Sequence, residues 1–181
     1  SDPVGKNHLE KMKQDTSRCV EVIKDGTIVP ELKTILELVR DYDAVLGTAH
    51  ISPEESFIVV EAARSLGVKK IVVTHPEWWV VGMTMEDQIR MVKDYDVILE
   101  RCYARTWEAE HNKSNLPDNL EIIKEVGQQK CHGRHRRRTD RKSALGACKS
   151  KNICKYLLDH GISEEQVYHM THTIPAGLLG I

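Results

Sequence analysis

Amphipathic helical stretches alternate with short apolar runs along this chain, and that alternation restricts the fold more than any other feature. "PELKTILELVRDYD" carries Leu32, Ile35, Leu36 and Val39 at helical spacing, and "DAVLGTAH" follows with the apolar run Ala44, Val45, Leu46. "SPEESFIVVEAARSLG" has a full start signal: Ser52 at the N-cap, Pro53 at the first helical position, Glu55 closing a capping box and Gly67 beyond the end. "KKIVVTH" supplies a second buried strand. Thr84 opens "TMEDQIRMVKDYD", whose Glu86 and Asp87 sit in the first turn where the helix dipole favours acids, and "VILERCYA" is a third strand. "PDNLEIIKEVGQQK" is another amphipathic helix, so a fourth buried strand is expected directly after it. Helices set between short apolar runs cover both faces of a parallel sheet, and the pattern therefore predicts an α/β fold.

Length and composition narrow the class. At 181 residues, 40% hydrophobic and 29% charged, the chain is long enough for one sizeable core and is read as a single domain. No apolar run reaches the ~18 residues of a membrane span, and "SDPVGKNHLEK" lacks the charged-then-apolar layout of a signal peptide, so a cytoplasmic location with no membrane partner is expected. The five cysteines, Cys19, Cys102, Cys131, Cys148 and Cys154, are odd in number and form no CxxC pair. They read as free thiols rather than as a disulfide framework or a zinc ribbon.

The alternation is interrupted once. Where the fourth strand is due stands "KCHGRHRRRTDRKSALGACKSKN", with eight lysines and arginines from Arg134 to Lys151 against the single acid Asp140, in a chain of net charge −1. The regular pattern then resumes: "ICKYLLDHG" is helical and ends at Gly161, Ser163 caps "SEEQVYHM" with Gln166 at the capping-box position, and "IPAGLLGI" closes as a short helix. The basic run has no interleaved aromatics and an acidic remainder beside it, which argues against a nucleic-acid grip. His132 and His135 with Asp140 are poor hosts for a cation among so many arginines. A solvated loop is the plainer alternative.

Parallel α/β folds place their chemistry at the carboxyl ends of the strands, which directs attention to His50, His75, Glu100 and Tyr103. A lone histidine at a strand end is more often structural, whereas two at successive strand ends face one another and raise the metal-ligand reading to parity. Glu100 has the alternative of simply pairing with a neighbour such as Arg101 or Arg105. Trp78 and Trp79 form either the apolar wall of a pocket or a cover over its mouth.

Taken together, "VLGTAHISPEE", "KKIVVTHPEW", "TMEDQ", "VILERCYA" and the terminal "IPAGLLGI" resemble the C-terminal half of a metal-dependent hydrolase of the amidohydrolase superfamily, over roughly residues 26–181. The resemblance implies a (β/α)8 barrel of the TIM type, present here as a partial barrel of about four βα units. It further implies one or two zinc-like ions held by His50 and His75 as the fifth- and sixth-strand ligands, Glu100 and Tyr103 lining the pocket in catalytic roles, and a small-molecule substrate. The family's HxH pair has no counterpart in this chain, and a complete barrel takes ~250 residues. A missing N-terminal half or a homo-oligomer is therefore expected to cover the open sheet edges.

The family's eighth strand ends in a Thr-Asp-Ala-Gly-like turn whose aspartate accepts a proton from water, and here that position is Arg136. Codons able to encode Cys131 to Cys154 are also able to spell, one nucleotide forward, an apolar strand, a Thr-Asp-Ala-Gly turn, a proline-containing loop and a helix running into "KYLLDHG". This suggests a frame-shifted segment over 131–154 bounded by two compensating base changes. Two functional classes stay open: a metal-dependent hydrolase acting on an amide, ester or related bond, and an inactive barrel fragment that only packs against a partner.

Overall fold

A computed structural model describes residues 20–78, 81–102, 115–133 and 153–181. The first elements are two short antiparallel strands, β1 (Ile23–Lys24) and β2 (Thr27–Ile28), joined by Asp25 and Gly26 at φ 51° and 75°. Positive φ at both central residues gives the tight hairpin turn whose twist matches the strands.

The body is a four-stranded parallel sheet in the order β3 (Val45–Gly47), β4 (Lys70–Val73), β5 (Ile98–Arg101), β6 (Cys131–Gly133). The crossovers are α1 (Pro30–Asp41) ahead of β3, α2 (Pro53–Ser65), α3 (Met85–Tyr95) and α4 (Leu116–Val126). This is the α/β architecture that the alternation predicts, and the expected fourth strand begins where the basic run opens, at Cys131. After it, residues 153–159 are helical, a turn at 160–163 follows, and α5 (Glu164–Tyr168), a π-helical turn at His169–Thr173 and α6 (Ile174–Leu179) then run on continuously. No helix among the described residues is long and apolar enough to cross a membrane.

The cap signals act as read. Ser52 accepts from the Glu55 N–H at 3.2 Å while the Glu55 carboxylate accepts from the Ser52 N–H at 3.0 Å, and Ser163 with Gln166 repeats the box. Thr84 accepts from the Asp87 N–H.

Alternation along the strands sorts side chains between two faces. Ile71 and Val73 of β4, Leu99 of β5 and Cys131 of β6 pack with Leu36, Val60, Ala63, Met91, Ile122 and Ile123 of the helices into one core. In α1 the buried stripe is Leu36 with Leu32 and Val39 beside it, whereas Ile35 of the predicted apolar face is half exposed. Cys102, Cys131 and Cys154 are free thiols, as read; Cys19 and Cys148 lie outside the described residues.

Candidate functional site

Beyond their last paired residues, β3 and β4 are stitched together by two threonines. The Thr48 N–H donates to the Val72 carbonyl at 3.1 Å, the Thr74 N–H donates to Thr48 Oγ1 at 3.1 Å, and the Ala49 N–H donates to Thr74 Oγ1 at 3.2 Å. These bonds bring the next residues, His50 and His75, side by side. Their Nε2 atoms stand 3.1 Å apart and their rings stack with centroids 4.8 Å apart. Trp78 meets both rings edge-on, at 5.4 Å from His50 and 4.8 Å from His75, so it forms the apolar wall of this corner. His75 is buried and His50 is exposed, which leaves one side of the pair open to solvent.

The backbone here is strained. Ala49 has φ 55° and His75 φ 27°, in the left-handed region that L-residues enter at a cost of about 1–3 kcal/mol and hold only where the surroundings enforce it. The turn from His75 is closed by the Trp78 N–H donating to the His75 carbonyl at 3.0 Å and the Met83 N–H donating to the Pro76 carbonyl at 2.9 Å.

Glu100 is 2% exposed and directly opposite His132 in the β5–β6 register. Alternation turns both toward the sheet face away from Leu99 and Cys131. His132 thus accompanies Glu100 through strand pairing, a neighbour that its position among arginines did not suggest. Tyr103 and Trp79, together with His135, Arg136 and Asp140, lie outside the described residues.

Sequence reasoning missed a second polar group on the helix-covered face. Arg101 is 1% exposed and forms an ion pair with Glu77 at 3.4 Å. Its guanidinium also donates to Gln88 Oε1 at 2.7 Å and to Asn119 Oδ1 at 3.2 Å. Asn115 Nδ2 donates to Glu77 Oε1 at 3.2 Å and to the Cys102 carbonyl at 2.7 Å. The available signal was an arginine two positions after Leu99 on one strand, which period-two alternation sends to the buried side.

Two imidazole nitrogens bound to one tetrahedral ion, each at ~2.0–2.1 Å, stand roughly 3.3–3.4 Å apart. The His50–His75 spacing of 3.1 Å is slightly shorter than this and is that of a direct hydrogen bond between the two rings, so a shared ion would replace that bond with a small separation of the rings; neutral imidazole nitrogen is a good donor to zinc-like metals. Among the described residues no group of three or more His, Cys, Asp or Glu side chains is gathered as a complete ligand set.

Residues 4–100 match a family described only as a family of unknown function, DUF6282. No curated protein and no solved structure matches the chain.

Proposed function

The chain belongs to that family, and from this premise we propose that it is the second half of a (β/α)8 metal-dependent hydrolase of the amidohydrolase type, with His50 and His75 as ligands to a zinc-like ion. The observation that carries the reading is the 3.1 Å Nε2–Nε2 contact between residues at the carboxyl ends of neighbouring parallel strands. When bound, such an ion lowers the pKa of a coordinated water toward ~7 and polarises a carbonyl or phosphoryl oxygen.

The chain's own residues supply the setting. His50 and His75 hold the ion in their neutral forms, Trp78 excludes water from one side, and Glu100 lines the pocket for a small-molecule substrate; a role for Tyr103 rests on the resemblance alone. The aspartate that would accept the water proton is replaced by Arg136, so hydrolysis by the sequence as it stands is slow or absent while metal uptake persists.

Metal content tests the reading. Purified protein titrated with Zn2+ should bind it, and His50→Ala or His75→Ala should weaken that binding at least about tenfold, since each removes one ligand. A wild-type chain that takes up no Zn2+, or a His75→Ala variant that binds it equally, would overturn the proposal.

A second reading has its own support. Ile35, Leu38 and Tyr42 of α1 and its C-cap are 52%, 52% and 81% exposed and, at i, i+3 and i+7, form one apolar stripe along the helix that precedes β3. A barrel fragment that acts by packing against a partner would need such a face.

A further inference from the structure

Arg101 is an expensive residue to place where it lies. A guanidinium buried against a carboxylate stabilises a fold little compared with apolar residues of the same volume, because desolvation offsets the attraction. The pair with Glu77 is also not ideal: the separation is 3.4 Å, and Arg101 Nε has no hydrogen-bond acceptor. What the arrangement does supply is registration. From the end of β5 the guanidinium holds Gln88 on α3, Asn119 on α4 and Glu77 on the loop after β4, three elements distant in sequence.

The third of these matters for the site. Glu77 lies two residues after His75, within the turn whose first residue has the strained φ of 27°. Strain of this kind relaxes unless something outside the turn holds it. The Glu77 side chain, 5% exposed, accepts a hydrogen bond from Asn115 on one oxygen, while its other oxygen faces the Arg101 guanidinium at 3.4 Å as an ion pair without a hydrogen bond. We infer that Arg101 is a positioning residue for His75: through Glu77 it holds the turn that sets the His75 ring against His50 and Trp78. Its consequence for metal binding rests on the hydrolase reading above, whereas its consequence for ring placement does not.

The test uses the full chain with Arg101→Met, which removes the charge but keeps the bulk, and Glu77→Gln, which removes the charge but keeps the amide-like shape. Ring-to-ring nuclear Overhauser contacts between His50 and His75 are measured without metal, and Co2+ affinity is measured by visible absorption. Arg101→Met should still unfold cooperatively, at a lowered temperature because Glu77 is left buried without its cation, and the folded protein should lose the His50–His75 contact and bind Co2+ about 10–100-fold more weakly, as expected when the support of a ligand is removed. Glu77→Gln should act in the same direction, and the double variant should be no worse than either single one. A folded Arg101→Met that keeps both the ring contact and the Co2+ affinity overturns the inference. If Arg101→Met does not fold, Glu77→Gln decides alone, loss of the contact supporting the inference and retention overturning it. A wild-type chain that binds no Co2+ defeats the hydrolase reading, and the ring contact still decides the role of Arg101.

Discussion

Cys131 shows how strongly one buried position responds to its surroundings. It is fully buried, and that burial pushes its thiol from the ordinary 9.0 up to about 11; the Arg101 cation opposes the rise and the Glu77 anion adds to it. The unfolded chain releases this proton first, so the stability that Cys131 contributes is complete below pH ~9 and is lost as pH rises toward ~11. Urea midpoints measured across that window should fall more steeply for wild type than for Cys131→Ala, by a difference on the order of 2 kcal/mol at the upper end. Parallel curves would show that the thiol titrates alike in both states. The histidine pair obeys a similar rule in the acid range. Two imidazoles with their Nε2 atoms at 3.1 Å cannot both carry protons on those atoms without repulsion. Zn2+ binding should therefore weaken as the pH is lowered, because protons compete with the ion for the same nitrogens.

At the scale of elements, helix starts are the best-specified features of the chain. Both halves of the Ser52–Glu55 box are formed and Ser52 is buried, so Ser52→Ala leaves a helix N–H without its acceptor. A loss of about 1 kcal/mol, read from the thermal midpoint, is the expected result. No change would mean that Pro53 and the first-turn acids suffice to start α2. The opening of the basic run is informative too. β6 pairs parallel to β5 from Leu99–Cys131 to Arg101–Gly133, and its first residue is in the core. A strand begun this way asks for apolar residues on both faces, which Arg136, Arg137 and Arg138 do not provide. Replacing 131–154 by the peptide of the shifted reading frame should raise the thermal midpoint by several degrees. A lower midpoint would establish the basic run as the protein's true sequence.

For the whole molecule, the decisive quantity is uncovered apolar surface. The α1 stripe of Ile35, Leu38 and Tyr42 is exposed, and so, at 37%, is Val45 of β3, the strand at one edge of the sheet among the described residues. Edges and apolar stripes of this kind invite a partner. Light scattering should give a mass above 20.6 kDa, and Leu38→Glu should shift it toward the monomer. A compact 20.6 kDa species for the wild-type chain would show that this face tolerates water.

Features that depend on neighbours along the chain were legible before any fold was known: the order of helices and strands, the caps at Ser52, Thr84 and Ser163, and the strand-end positions of His50, His75 and Glu100. These are set by periodicity and by hydrogen bonds spanning three or four residues, so they are legible without a fold. The Asp25–Gly26 hairpin is equally local, but its two-residue strands are too short to leave an alternating pattern in the sequence. Only the tertiary structure decided which strand ends meet. Strand pairing placed His132 opposite Glu100, the threonine bridge drew His50 onto His75, and the pairing of Arg101 with Glu77 across 24 positions depended on the packing of α3 and α4 over β5. Alternation marks Arg101 as buried but leaves no trace of its partner, which is chosen by proximity in space, and that proximity exists only once the sheet and its helices have come together.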